Sequence, residues 1–271
     1  WRANIWKTKM KKIVFFGAGN ISQSIILGLI AKGYKKKDIL YVDRNKENQK
    51  HLKKIGIKKY SKAFKDEVDL IFLAVKPKDA LLAIQEICSN HTNPKVISLV
   101  AGIKSKQYFS ISKNIQLIRA MPTTSSQFGK GITGVFNLSS SLTTFNKVKR
   151  IFNKVGMIVE LSKEQEMDTF TGLIGSGPAY FFYLLKVYER RLMKLCNNDT
   201  KISSQAMVNM FEGIALSVSG NNIDELIDKV ASKKGTTEAG LRSFKQNKLL
   251  NSFDKGIATA IKRSKEIANE S

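Results

Sequence analysis

Four short stretches hold residues whose types and spacing could do chemistry. Gly17-Ala18-Gly19-Asn20-Ile21-Ser22 follows an apolar run, Ile13–Phe16, and precedes helix-spaced apolar residues at Ile21, Ile25, Leu29 and Ile30. A strand, a glycine turn and a helix in that order suit a dinucleotide. The first glycine makes the tight turn, the second lets the backbone approach a pyrophosphate, and the helix start offers free N–H groups. Ser22 stands where the third glycine is usual, a place that requires only a small residue. The plainer reading is a tight βα turn without a ligand. Asp43-Arg44 ends the second apolar run. A carboxylate there suits the ribose hydroxyls of NAD, whereas an arginine with Lys46 nearby suits the 2′-phosphate of NADP. The sequence carries both signals and leaves the preference open. Ser176-Gly177-Pro178 and Lys234-Gly235-Thr236-Thr237 each open a helix with small residues, where exposed N–H groups would hold an anion. Close helix packing at Ser176-Gly177 and an ordinary helix cap at Thr236-Thr237 are the plainer readings.

The elements that must position these residues alternate. Apolar runs at 13–16, 39–42, 70–75 and 96–100 are separated by helical stretches near 21–30, 46–54 and 79–89. Such alternation implies a parallel sheet, and so an α/β fold with a doubly wound, Rossmann-type N-terminal domain. After Leu161 the strand signal ends. Residues 178–195, 204–219, 223–231 and 249–268 read as helices, which makes the C-terminal part all-α. Three of the four prolines, Pro77, Pro122 and Pro178, end an apolar strand or open a helix, and Ala101-Gly102 adds a small-residue turn at a strand end. Ligands of open α/β sheets bind at such strand ends. Residues 10–163 are assigned to the dinucleotide domain and 164–271 to the helical domain. Trp1–Lys9, with both tryptophans of the chain, reads as sequence upstream of a natural start at Met10.

Composition removes several classes. Two cysteines far apart make no disulfide framework, and with two unclustered histidines they provide no structural zinc site, so no metal is expected. No apolar run reaches the length of a membrane span, nor does the N-terminus carry the apolar centre of a signal peptide. A cytoplasmic protein without membrane partners is expected. The net charge of +24 comes mainly from lysine, since only eight of the 46 basic residues are arginine. Diffuse lysine describes solvated faces that can steer anionic ligands, and a specific nucleic-acid surface is not expected.

Taken in order, the motifs resemble the pyrroline-5-carboxylate reductase family over nearly the whole chain from Lys12. The matching runs are Gly17-Ala18-Gly19-Asn20-Ile21, Ala74-Val75-Lys76-Pro77, Ser98 to Ile103, Arg119-Ala120-Met121-Pro122, Gly129 to Thr133, and Met167-Asp168. The most specific are Gly175-Ser176-Gly177-Pro178-Ala179-Tyr180 and Gly235-Thr236-Thr237-Glu238-Ala239-Gly240-Leu241. Two departures stand out. Thr123-Thr124-Ser125 occupies the family's Asn-Thr-Pro, and Lys234-Gly235 its Gly-Gly. The resemblance implies reduction of 1-pyrroline-5-carboxylate to L-proline with NADPH or, alternatively, NADH. It implies a cofactor site at Gly17, Ala18, Gly19, Asn20, Ile21, Asp43, Arg44, Ala74, Val75, Lys76, Pro77, Ala101, Gly102 and Met121. It further implies a substrate site at Ser176, Gly177, Lys234, Gly235, Thr236 and Thr237, with the Thr237 hydroxyl on the ring nitrogen as the catalytic group. A homodimer through the helical domain, with higher assembly open, also follows from it.

The chemistry suits the composition. A protonated imine is already electrophilic and needs a hydride, so no tuned histidine or carboxylate base is obligatory. A β-hydroxyacid dehydrogenase would share the architecture and the Gly172, Gly175, Gly177 spacing. That family's catalytic lysine, however, would fall at Phe181. A non-catalytic protein binding a dinucleotide or a nucleic acid is the reading from a different class, and steeply salt-dependent DNA binding would favour it.

Overall fold

The computed structural model describes residues 12–270; the expectations about residues 1–9 and Met10 lie outside them. The N-terminal elements are β1 (Lys12–Phe16), α1 (Asn20–Ala31), β2 (Ile39–Val42), α2 (Lys46–Lys54) and β3 (Lys58–Lys59), then β4 (Val68–Leu73), α3 (Ala80–Asn90), β5 (Lys95–Ser98) and α4 (Ser105–Ile111). They continue with β6 (Gln116–Pro122), β7 (Gly131–Asn137), α5 (Leu142–Val155), β8 (Gly156–Glu160) and α6 (Glu166–Phe170). One sheet of eight strands runs β3-β2-β1-β4-β5-β6-β7-β8, with every pair parallel except β6–β7. The chain leaves β1 in one direction for β2 and β3, then returns to the other side of β1 for β4. That reversal opens a crevice at the carboxyl ends of β1 and β4.

Successive strand residues point to opposite faces, and both faces are covered. Ile13, Phe15, Leu70 and Phe72 meet Ile25, Ile26 and Leu29 of α1 and Phe152 of α5 on one side. Val14, Phe16, Ile71 and Leu73 meet Ile84 and Ile87 of α3 and Tyr108 of α4 on the other. Burial on both sides explains why these strands read as unbroken apolar runs. The sheet is larger than the runs disclosed, because β7 is broken by glycines and β8 is half-exposed at the edge. A single 3₁₀ turn, Thr124–Phe128, joins β6 to β7, and a connection this short compels an antiparallel pair.

The chain divides into two compact units, the first reaching Gly175 and taking in Ile261 onward, the second comprising Ser176–Ala260. Contacts thus draw the division later than the expected 163/164 junction. Residues 164–175 are held to the sheet by side chains. Glu164 accepts hydrogen bonds from Arg119 at 3.0 Å and from the Ser105 amide at 2.8 Å, and Phe170 lies where a Cβ of Gly134 would be. Asp168 accepts a hydrogen bond from Ser264 at 2.8 Å.

The second unit contains α7 (Gly177–Leu195), α8 (Thr200–Val218), α9 (Ile223–Val230), α10 (Thr236–Gln246) and the first part of α11 (Leu249–Glu270). Phe253 packs edge-on against Tyr180 at 6.2 Å and beside Phe181. Only Gly177 and Ser203 are buried in this unit, while Phe182, Tyr183, Leu195, Leu216 and Leu250 are largely exposed. No helix among the described residues is long and apolar enough to cross a membrane.

Asp69 ties three elements of the first unit together. From β4 it accepts hydrogen bonds at 2.7 Å from both Lys95 of β5 and Lys147 of α5. Burial raises its pKa, but the two lysine hydrogen bonds and their charges outweigh that and hold it below the ordinary carboxylate value. Its contribution to stability is therefore complete above the unfolded pKa, about 3.9, and fades as pH falls through the lower folded value. Asp69→Asn should cost about 1–3 kcal/mol in urea unfolding at pH 7. The gap to the wild-type protein should shrink progressively below about pH 4.

Candidate active site

The first unit gathers the expected cofactor residues at one edge of the sheet. Gly17 leaves β1 with φ +94°, and a Cβ there would stand 2.8 Å from the Val75 nitrogen and nearer still to the Ala74 carbonyl. Only glycine fits. The Gly17 amide donates to the Val42 carbonyl at 2.8 Å, and the Ala74 amide donates to that of Phe16 at 2.7 Å, so the ends of β2, β1 and β4 are fastened side by side. Ser22 is fully buried and donates to the Gly17 carbonyl at 2.6 Å, a bond that a glycine in its place could not make. Gly19, by contrast, faces open space, with nothing within 4 Å of the position a Cβ would take. It caps α1, whose first turn has no side-chain cap. Open space beside uncapped N–H groups is the geometry that a pyrophosphate requires, so the residues present fit a dinucleotide.

Asp43 and Arg44 have different surroundings. The Asp43 carboxylate accepts the Ala18 amide at 2.6 Å, the Asn45 amide at 2.6 Å and the Asn48 side chain at 3.1 Å. Arg44 is 85% exposed and pairs with Asp79 at 3.0 Å. Lys76 and Pro77 follow β4, and Pro77 begins the 3₁₀ turn that ends at Asp79. Ala101 and Gly102 follow β5, and Ile267 of α11 packs over Gly102, 2.5 Å from where a Cβ would be. Met121 near the end of β6 lies 3.8 Å from the corresponding position on Gly175.

The expected substrate residues lie at two helix starts. Ser176 caps α7, with Gly177 and Pro178 in its first turn and no side-chain cap bond. Residues Thr171–Gly175 just before it form a π-helical turn, and the Thr171 hydroxyl donates to the Met167 carbonyl at 2.7 Å. Gly235, not a threonine, caps α10, so Thr236 and Thr237 occupy its first turn and are exposed. Their hydroxyls are not spent as caps, against the plainer reading of these residues.

Lys234 takes φ +59°, a conformation that favours glycine, which accounts for the glycine that the family resemblance places there. The Lys234 amide donates to the Glu238 carboxylate in a short hydrogen bond. Sequence reasoning assigned no role to Glu238, although a glutamate three residues after a cap residue is a recognisable start signal. Asp79 was missed as well, and nothing in the local sequence marks it. The two histidines lie outside the motifs, and His91 is engaged with the Tyr60 hydroxyl at 3.1 Å. No cluster of three or more metal-ligating side chains occurs among the described residues.

Comparison with known proteins decides the family. A pyrroline-5-carboxylate reductase from Haemophilus influenzae is 30% identical over 95% of this chain and 97% of its own. The chain belongs to the pyrroline-5-carboxylate reductase family. Residues 164–267 match the family model for pyrroline-5-carboxylate reductase dimerisation, and residues 12–102 match that described as NADP oxidoreductase, coenzyme F420-dependent. The structure resembles a pyrroline-5-carboxylate reductase from Coxiella burnetii, 27% identical over 96% of this chain and 99% of that one, with a TM-score of 0.80. It also resembles the fold of the Plasmodium falciparum pyrroline carboxylate reductase with NADP bound, 24% identical over 95% and 98%, with a TM-score of 0.84.

Family membership displaces the β-hydroxyacid dehydrogenase reading and the non-catalytic one. The glycine at 172 has a packing reason instead, since a Cβ there would lie 2.6–2.8 Å from Ile261 of α11.

Two glycines of one loop should behave differently. Gly17→Ala should lower stability by several kcal/mol, about 2–4, because both φ and the Ala74-Val75 backbone forbid it. Gly19→Ala should leave unfolding within about 0.5 kcal/mol yet weaken NADP⁺ binding in calorimetry, because its methyl occupies the cradle. Separately, Lys234→Gly should raise the unfolding free energy by up to about 1 kcal/mol by relieving the left-handed backbone.

Proposed function

We propose that this protein reduces 1-pyrroline-5-carboxylate to L-proline. The observation that carries the reading is full-length similarity to pyrroline-5-carboxylate reductases, joined to a glycine cradle built for a dinucleotide at the β1/β4 crevice. NADPH is the preferred cofactor and NADH the second, since Arg44 is exposed while the Asp43 carboxylate is taken up by the chain itself. When bound, the cofactor supplies a hydride to the imine carbon.

The remaining work is binding and orientation. Gly17 to Ile21 hold the pyrophosphate against the α1 start, with Ala74 to Pro77, Ala101-Gly102 and Met121 lining the crevice. The uncapped N–H groups at Ser176-Gly177 and at Gly235-Thr236-Thr237 receive the substrate carboxylate, aided by the Lys234 charge. The Thr237 hydroxyl hydrogen-bonds the ring nitrogen and fixes which face of the ring is reduced. A protonated imine needs no further acid, which is consistent with a site whose proposed residues include no histidine or free carboxylate.

The helical unit buries no large apolar side chain of its own, so Phe182, Tyr183, Leu195 and Leu216 need a cover. A second copy provides it, as the dimerisation-domain match supports. The protein acts as a homodimer, which can assemble further, in the cytoplasm.

The test is the loss of NADPH absorbance when 1-pyrroline-5-carboxylate is added. Thr237→Val should reduce kcat at least about tenfold while changing NADP⁺ affinity less than about twofold. Unchanged turnover would remove Thr237 from the site, and no turnover by the folded wild-type protein would overturn the reading.

A further inference from the structure

The order β2-β1-β4 places the β1–α1 glycine loop between the strand end that carries Arg44 and the turn that carries Asp79. Their ion pair, 3.0 Å long, therefore links the two sides of the crevice beside the loop that cradles the pyrophosphate. The arginine is mostly solvated, and Asp79 is its one ion-pair partner among the described residues. Asp79 is more enclosed, its side chain 24% exposed at the start of α3. An exposed pair of this kind is weak and is readily exchanged for a better partner. A 2′-phosphate is such a partner, because it carries more charge and accepts the guanidinium bidentately.

Asp43 is engaged differently, in holding the loop. Its two oxygens already receive three donors, and two of these are backbone amides, Ala18 in the glycine loop and Asn45 at the cap of α2. Turning the carboxylate toward a ribose would leave the Ala18 amide without its partner and loosen the loop. The aspartate that the sequence offers as a ribose acceptor is thus engaged in shaping the cradle. Discrimination between the dinucleotides falls to the groups that remain available, Arg44 and the carboxylate that holds it.

Resting on the cofactor reading above, we propose that Asp79 tunes NADP⁺ against NAD⁺ as an internal competitor for Arg44, while Asp43 pins the glycine loop and reads neither ribose. When the phosphate takes Arg44, the ion pair with Asp79 is given up, and the cost of that exchange is subtracted from NADP⁺ binding. NAD⁺ has no group at that position and is indifferent to the exchange.

Calorimetric titration of NADP⁺ and NAD⁺ into the wild-type protein and four variants tests this without any turnover. Asp79→Asn should tighten NADP⁺ about 3- to 10-fold and leave NAD⁺ within about twofold. Arg44→Ala should weaken NADP⁺ at least about tenfold, and in that background the gain from Asp79→Asn should vanish. Asp43→Ala should weaken both nucleotides by a common factor. An unchanged or weaker NADP⁺ affinity in Asp79→Asn, or equal changes for both nucleotides, would overturn the competitor role. Selective weakening of NAD⁺ by Asp43→Ala would return Asp43 to the ribose. Failure of the wild-type protein to bind either nucleotide would instead overturn the cofactor reading on which the inference rests.

Discussion

The contact between the backbone of Gly17 and that of Ala74 and Val75 is the constraint on which the first unit depends. Reversal of strand order at β1 and β4 creates the crevice, but the crevice becomes a cradle only if the chain leaving β1 lies directly against the chain leaving β4. A side chain at Gly17 would hold these strand ends apart. Closing them brings the start of α1 over the sheet edge with its N–H groups uncapped and the space at Gly19 open. Ser22 and Asp43 then lock the loop through the Gly17 carbonyl and, from the β2 side, the Ala18 amide. The loop is held by its neighbours before any ligand arrives, which lowers the ordering cost of binding.

The helical unit is under the opposite constraint. Its helices are long and well formed, yet its apolar side chains stay in solvent. Helices of this length owe most of their stability to packing of an apolar face rather than to propensity. A unit that buries only a glycine and a serine cannot supply that packing from a single chain. The match of residues 164–267 to a dimerisation-domain model fits that need for a cover.

Legibility in the sequence followed burial. Strands β1, β2, β4 and β5 could be read because both faces are covered and the runs are uniformly apolar. Strands β7 and β8 could not, because glycines at 131 and 134 interrupt one and the other is half-exposed at the edge. The glycine loop was visible since backbone geometry requires Gly17 and a ligand's close approach favours Gly19, and Thr237 was reached through resemblance to a family motif. Partnerships were not visible. Nothing local distinguishes Asp43 as a loop pin from Asp43 as a ribose acceptor, because the difference lies in where the Ala18 amide points. Likewise Asp79 meets Arg44 only through the order of the strands, and the left-handed backbone of Lys234 is hidden by a side chain that ordinarily avoids it.

A single physical device recurs in each of the two units. The starts of α1, α7 and α10, proposed above for the pyrophosphate and the carboxylate, all lack side-chain caps. Backbone donors need small residues and a fixed path, not particular side chains. A site built this way tolerates wide sequence change so long as glycines and serines stay where close approach requires them. Identity of only 30% to a full-length relative is compatible with preservation of such a site. The same logic explains why Lys234 can replace a glycine: its amide and the Glu238 carboxylate hold the turn, and the extra charge sits just before a helix start where an anion is already favoured. What side chains add in the proposed reading is selection, with the Thr237 hydroxyl proposed for the ring nitrogen and Arg44 for the phosphate.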